Sequence, residues 1–225
     1  MATGKATAGF RGWPAEALDF YDGLAADNTK TYWLEHKAVY ERCVKEPFEA
    51  LLAELGGGKL FRPFRDVRFS ADKSPYKTAA AAHINGDGGG YVQLSVEGLF
   101  VGTGYYWMAA DQLSRYRAAV ADHAGTGTGE ELVRLVQAAE KSGLTVGGEA
   151  LKTAPKGYPK DHPRIRFLRH KGLYVGQTFP PAPWLGTAKA KDRILSVIER
   201  ARPLQAWLDT QVGESTEPPD ERGRS

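Results

Sequence analysis

Apolar residues in the first 55 positions recur every three or four residues, which is the spacing of an amphipathic helix. The pattern predicts a first helix from Pro14 to about Asp27 and a longer second helix from about Thr29 to Leu55. A proline inside a helix removes a backbone donor, so Pro47 predicts a kink or a break near Lys45. The apolar positions of the longer helix are Trp33, Tyr40, Val44, Phe48, Leu51, Leu52 and Leu55.

Alternation of apolar and polar residues, the pattern of strands with one buried face, dominates the next part of the chain. The clearest case is a hairpin in which two alternating runs flank a tight turn at Glu97-Gly98. Gly102 and Gly104 share one face of its second strand, and such bare backbone predicts close approach of another element, most simply a helix. The predicted strands are 64–70, 79–85, 92–97, 99–104 and 172–179.

Helical spacing returns in the second half of the chain. Thr128 followed by Glu131 predicts a capping box at the start of a helix. Pro203 predicts a kink in the last helix. The predicted helices are 111–124, 128–141, a short one from about 161, and 187–210; a short strand is expected within 144–151.

This order of elements predicts an α+β fold, with a mostly antiparallel sheet built around the central hairpin. N-terminal, middle and C-terminal helices are expected to cover the sheet. At 225 residues the chain suits one domain, which we place at residues 9–212. Residues 1–8 and 213–225 carry little to bury, so we expect disordered tails there.

The net charge of +3 conceals an uneven distribution. Residues 59–77, the first basic segment, hold six Lys/Arg and two Asp; residues 152–171, the second basic segment, hold seven Lys/Arg and one Asp. If the fold brought these segments together around one hollow, it would focus a positive potential there.

Arginines interleaved with aromatic residues mark the first basic segment as a candidate anion site. A guanidinium group presents a planar fork that matches carboxylate or phosphate, and lysine adds a point charge. Asp66 and Asp72 can instead hold the arginines in place, in which case the segment is a salt-bridged surface. The predicted ligand groups are Arg65, Arg68, Ser70, Lys73, Tyr76 and Lys77.

The second basic segment opens with Lys-x-x-Pro written three times, from Lys152 to Pro163. Prolines at this spacing forbid a helix and stiffen the loop, and a stiff loop loses less entropy on binding. Lys152, Lys156 and Tyr158 are the predicted ligand groups, although a rigid and soluble connector explains the same pattern. If the protein is an enzyme, which the sequence leaves open, the candidate acid–base residues are His162 and Asp66.

Several classes of site are disfavoured. Cys43 is the only cysteine, and the five histidines show no metal-ligand spacing, so we predict no metal site. The sequence lacks a complete P-loop, a dinucleotide fingerprint and a Gly-x-Ser-x-Gly motif, and we predict no cofactor. No apolar run approaches the length of a membrane span and no signal segment is visible, so we expect a cytoplasmic protein without a membrane partner.

Four stretches together resemble a conserved hypothetical bacterial family, domain of unknown function 2461. They are Phe10-Arg11-Gly12-Trp13, the run from Phe64 to Lys77, the tyrosine-rich hairpin, and the run from Pro155 to Pro163. The resemblance covers residues 9–210 and implies an intact single-domain member. It implies no activity.

Three functions remain open at this stage. The basic segments can line one pocket for a phosphate- or carboxylate-bearing small molecule. They can instead form a nucleic-acid surface on which Tyr76 and Tyr158 stack on bases, although the acidic remainder of the chain favours a local site. The third alternative is a non-catalytic module that docks an acidic protein partner. The sequence does not indicate an oligomeric state.

Overall fold

The computed structural model of the chain describes residues 9–68, 71–85, 89–123 and 125–217. Its helices are α1 (Glu16–Ala26), α2 (Lys30–Val39), α3 (Glu46–Glu54), α4 (Ala110–Ala121), α5 (Thr128–Lys141), α6 (Ile165–Leu168) and α7 (Lys189–Gln211), with a π-helical segment at Tyr40–Lys45 and a 3₁₀ turn at Pro183–Gly186. Its strands are β1 (Gly58–Leu60), β2 (Ala79–Ile84), β3 (Gly90–Ser95), β4 (Gly98–Tyr105), β5 (Thr145–Gly147) and β6 (Leu173–Phe179).

The strands form an antiparallel sheet in the order β1-β2-β3-β4-β6-β5, which confirms the predicted α+β class. β2 and β3 pair along their full length, with Ala82 opposite Val92 and His83 opposite Tyr91. The hairpin of β3 and β4 was predicted from its alternation, whereas β1 was not predicted.

The chain divides into two compact units. The first unit runs to Val101 and includes Thr178–Ser196, and the second contains Gly102–Gln177 and continues from Val197. In the first unit, α1 contacts β3 and α3 contacts β1. Its core is rich in aromatic rings: Trp13 is 2% exposed and its ring lies 4.8 Å from that of Phe48.

The predicted 29–55 helix is a continuous helical run with a defect. α2 passes into the π-helical segment Tyr40–Lys45, after which α3 starts at Glu46 with Pro47 in its first turn. Proline cannot donate its backbone nitrogen and crowds the preceding turn, and a widened π turn relieves both problems. The predicted disturbance near Lys45 is therefore present.

In the second unit, Tyr116 of α4 is completely buried and its hydroxyl donates to the carbonyl of Phe167 at 3.1 Å. Burial raises the pKa of Tyr116 far above its ordinary value. The predicted capping box of α5 is wrong. Gly127 is the N-cap, and the Thr128 hydroxyl donates to Ala119 O of α4 and not to a backbone N–H of α5.

Two glycines allow β4 and β6 to approach closely. A Cβ on Gly104 would lie 2.5 Å from Leu173 O, and one on Gly98 would lie 2.1 Å from Phe179 O. The bare backbone of Gly104 therefore faces a neighbouring strand and not the helix that we predicted. Both glycines also have positive φ, +136° and +107°, which other residues rarely adopt.

The predicted boundary at residue 212 falls within a hydrogen-bonded stretch. Gln112 and Arg115 of α4 donate to Gly213 O and Glu214 O, at 2.7 and 2.8 Å. The Ser215 hydroxyl donates to Asp111 at 2.7 Å. Residues 1–8 and 218–225 lie outside the described residues, so the predicted N-terminal tail stays a prediction.

Candidate functional site

The first basic segment folds back on itself as a closed loop. Phe64 forms an isolated bridge with Tyr76, Arg65 N–H donates to Pro75 O at 2.9 Å, and Lys77 N–H donates to Pro63 O at 2.7 Å. The predicted strand at 64–70 is therefore wrong for residues 65–68. Phe69 and Ser70, the latter a predicted ligand group, lie outside the described residues.

Carboxylates of the same loop engage its two central arginines. Arg68 donates to Asp66 through Nε at 3.0 Å and through its terminal nitrogen at 2.6 Å, and Arg65 pairs with Asp72. The hydrogen bond from Arg68 lowers the pKa of Asp66 to about 2, and those from Ser74, with a smaller one from Arg65, lower the pKa of Asp72 to about 2. Asp66 thus stays ionised at neutral pH, which makes it a poor acid–base group.

Two more predicted ligand groups of this loop have structural contacts. The ammonium group of Lys73 donates to Val67 O at 2.9 Å. Tyr76 is 5% exposed, and its ring stacks on Trp33 at 4.5 Å with an interplanar angle of 7°. The Tyr76 ring is therefore a core group and cannot stack on a ligand as we predicted.

Lys77 differs from Arg65 and Arg68, which pair with Asp72 and Asp66, because no ion pair is described for it. Its Nζ lies 5.8 Å from the centre of the Phe61 ring. Burial lowers the pKa of Lys77, and the neighbouring guanidinium groups of Arg62 and Arg65 lower it further. Lys77 is a partly desolvated cation among like charges.

The second basic segment begins as a series of turns. Tyr158 N–H donates to Pro155 O at 3.2 Å and His162 N–H donates to Pro159 O at 3.3 Å. Pro155 is buried and anchors the loop, while Lys152 and Lys156 are exposed. The predicted short helix forms only at α6, since the backbone before Ile165 is occupied by these turns.

Three later cations of this segment, Arg164, Arg166 and Lys171, make structural contacts with other parts of the chain. Arg164 donates to Val120 O and Ala121 O, at 2.6 and 2.7 Å, and pairs with Glu130. Arg166 pairs with Glu140 at 2.9 Å, and Lys171 pairs with Glu149. These residues were not predicted ligand groups, and their positive charge is compensated locally.

Tyr158 and His162 meet two residues that sequence analysis did not select, His123 and Arg117. The rings of His123 and Tyr158 are parallel within 8° at a centroid distance of 6.4 Å, and His162 meets His123 edge-on, also at 6.4 Å. Arg117 projects from α4 and donates through Nε to Leu168 O at 3.2 Å. We call these four residues the Arg117 cluster.

Burial dominates the electrostatics of Arg117. It lowers the pKa of the guanidinium group, and the nearby hydroxyls of Tyr158 and Tyr116 offset that effect only in part. Among the described residues, no carboxylate pairs with Arg117. No local sequence signal could have selected it, because its neighbours come from a loop some forty positions away.

A backbone hydrogen bond fixes the tautomer of His162. The N–H of Arg164 donates to His162 Nδ1 at 3.0 Å, so the proton of the neutral ring is on Nε2. Nε2–H is therefore the group with which His162 can donate to a bound anion.

The structure places the two predicted halves of the site in different units. The first basic segment lies in the first unit and the second basic segment in the second. One pocket lined by both stays a prediction. Within the described ranges, no three His, Cys, Asp or Glu side chains cluster as a metal site would require, and no helix there has the length and apolar character to cross a bilayer.

Comparison with known families shows a match to a family of conserved hypothetical proteins. The family's sequence profile matches residues 16–207. No curated protein and no solved structure is significantly similar to the chain. Since the family match spans well over half of the sequence, the chain belongs to the conserved hypothetical protein family DUF2461.

Proposed function

We propose that the Arg117 cluster binds a small molecule that carries a phosphate or a carboxylate. The observation that carries this proposal is the half-buried Arg117 guanidinium, beside which no carboxylate is described. A cation withdrawn from water without a counterion is unfavourable for folding, and a bound anion would compensate for it.

The hydrogen-bonding capacity of Arg117 supports an oxyanion as the ligand. Its Nε donates to Leu168 O, and for its two terminal nitrogens no partner is found among the described residues. Those nitrogens form the fork that binds two oxygens of one phosphate or carboxylate. The Tyr158 hydroxyl and His162 Nε2–H add donors of the type that oxyanions accept.

The surroundings of the cluster favour an anion and a flat or ring-shaped remainder. Lys156 and Lys160 are exposed on the same loop as Tyr158, and they raise the local positive potential. The parallel rings of His123 and Tyr158 offer apolar faces against which the rest of a ligand can pack. If the bound molecule also reacts, His162 is the group that we would test for proton transfer, and the binding proposal does not require it.

A thermal-shift experiment on the full chain tests this proposal. The panel is inorganic phosphate, pyrophosphate, citrate, ribose 5-phosphate and glucose 6-phosphate, each against chloride at equal ionic strength. A ligand at 100 times its Kd adds about 2.7 kcal/mol of stability, which raises the Tm of a chain of this size by about 5–10 °C. Arg117→Gln should lose that shift.

The matched control is Arg134→Gln, which removes an exposed arginine of the same unit and should keep the shift. Without ligand, Arg117→Gln should lose at most about 1.5–3 kcal/mol, because the lost Nε hydrogen bond to Leu168 O is offset in part by removal of a half-buried charge. The proposal is wrong if no anion of the panel stabilises the wild type, or if Arg117→Gln responds as the wild type does.

A further inference from the structure

The sheet of the first unit has two different faces. On β2 and β3 the side chains of Ala80, Ala82, Val92 and Leu94 are at most 5% exposed and form the core. Their neighbours along each strand point to the opposite face and are half-buried or exposed. We call this opposite side the open face.

Aromatic rings form a connected row on the open face. His83 lies opposite Tyr91 in the β2–β3 register. The ring of His83 lies 5.0 Å from that of Phe61 and 5.8 Å from that of Tyr91, and the Tyr91 ring lies 6.1 Å from that of Phe100. Adjacent strands are about 4.8 Å apart, so the row extends roughly 14 Å across the strands.

Two lysines border this row. Lys59 is exposed and lies opposite His83 in the β1–β2 register, which places both side chains on the same face. Lys77 holds its Nζ over Phe61 at 5.8 Å. None of the described side chains that β1, β2 and β3 direct to the open face is acidic. The face therefore combines flat apolar rings with uncompensated positive charge.

We propose that the open face binds single-stranded nucleic acid, with Phe61, His83 and Tyr91 stacking on bases and Lys59 and Lys77 beside phosphates. Bases stack on aromatic side chains whatever their sequence, and sheets that carry exposed aromatic rings bind two or three unpaired bases in this way. The match of charge and ring chemistry identifies the occupant: an acidic protein would satisfy the lysines and leave the rings without stacking partners.

The extent of the open face favours a single-stranded oligonucleotide over a mononucleotide. The row of rings crosses several β-strands, whereas one base covers only one or two rings. Several linked bases therefore use more of the available surface. Duplex DNA hides its bases in stacked pairs and offers only groove edges, which a flat face of rings cannot stack on. This site is independent of the Arg117 cluster, which lies in the other unit.

Fluorescence anisotropy of the full chain with labelled single-stranded DNA of about 12 mixed-sequence nucleotides tests the proposal. Tyr91→Leu and Phe61→Leu keep apolar volume but remove the stacking surface, and each should weaken binding about tenfold. Lys59→Gln changes an exposed side chain and cannot disturb the core. With two lysine–phosphate contacts, wild-type affinity should fall by about sevenfold between 50 and 200 mM salt.

Two control variants test whether oligonucleotide binding depends on the open face. Tyr106→Ala removes a tyrosine that is 80% exposed in the other unit, and it should bind the oligonucleotide as the wild type does. Arg117→Gln should also bind it normally. Thermal melts of every variant establish that it is folded before its binding is compared.

The binding measurements either support or overturn a nucleic-acid site on the open face. Single-strand binding that weakens in Tyr91→Leu, Phe61→Leu and Lys59→Gln, but not in the controls, supports the open face. Absence of binding at low salt, equal binding of the matching duplex, or equal losses in Tyr106→Ala would overturn it. Loss of oligonucleotide binding in Arg117→Gln would also overturn it, because that result assigns the nucleic acid to the other site.

Discussion

Replacing Arg164 by methionine should destabilise the protein by about 3–5 kcal/mol. Arg164 is 13% exposed and donates to Val120 O and Ala121 O, the last two carbonyls of α4, at 2.6 and 2.7 Å. Those carbonyls have no partner within the helix, and each charged hydrogen bond to such a group is worth about 1.5–3 kcal/mol. Glu130, which is 57% exposed, adds little to this sum.

Urea unfolding followed by tryptophan fluorescence measures this loss, and a thermal melt should show a Tm lower by about 10 °C. Arg164→Lys should lose roughly half as much, because one ammonium group cannot reach both carbonyls with good geometry. The matched control is Arg166→Met, two positions along the chain. Arg166 is 61% exposed and pairs with Glu140 at the surface, so its loss should cost less than about 1 kcal/mol.

A second substitution tests whether Arg164 stabilises the protein through its hydrogen bonds to the end of α4. A Cβ on Gly129 would lie 2.5 Å from Arg164 Nε and 2.5 Å from Val120 O. Gly129→Ala should therefore destabilise the wild type more than it destabilises Arg164→Met, in which the first clash is absent. The reasoning is refuted if Arg164→Met and Arg166→Met lose the same free energy of unfolding. It is also refuted if the losses from Arg164→Met and Gly129→Ala are strictly additive in the double variant.

Two further predictions concern the second unit and the hairpin. Burial lowers the pKa of His170, whose Nδ1 lies 3.1 Å from Gly172 O. The folded state therefore favours the neutral ring, and stability should fall as pH drops below about 6.5. His170→Asn, which keeps a donor near the Nδ1 position, should reduce the fall in urea midpoint between about pH 7 and 5. A variant whose urea midpoint falls as much as that of the wild type would contradict this prediction. Gly98→Ala should cost more than about 3 kcal/mol by urea unfolding, because the new Cβ meets Phe179 O at 2.1 Å and φ is +107°; a Tm within about 2 °C of the wild type contradicts this.

Local pattern was enough to predict the elements whose signals come from neighbours in sequence. The alternation on either side of Glu97-Gly98 specified the hairpin, because a period of two fits only a strand with one buried face. The same alternation gave a wrong prediction at residues 65–68. There Asp66 and Arg68 lie on the same side because they pair with each other, and Pro63 and Pro75 close the segment into a loop.

The candidate sites depend on tertiary contacts that no local pattern records. Arg117 occupies an ordinary position of an amphipathic helix, and only its approach to Tyr158 marks it as a site. The possibility that Asp66 and Asp72 hold the arginines was visible in the sequence, but which cations they would neutralise was not. Lys77 was predicted as a ligand group, whereas its neighbour Phe61 contacts the rings of His83 and Tyr91, which come from two other stretches of the chain.

The π-helical segment supplies an intrinsic reporter of local opening. Cys43, the only thiol of the chain, lies within Tyr40–Lys45 and is 2% exposed. A thiol reagent can reach its buried sulfur only when that widened turn opens locally. The rate of Cys43 alkylation under native conditions therefore measures how often the helical run of the first unit opens locally, without any engineered label.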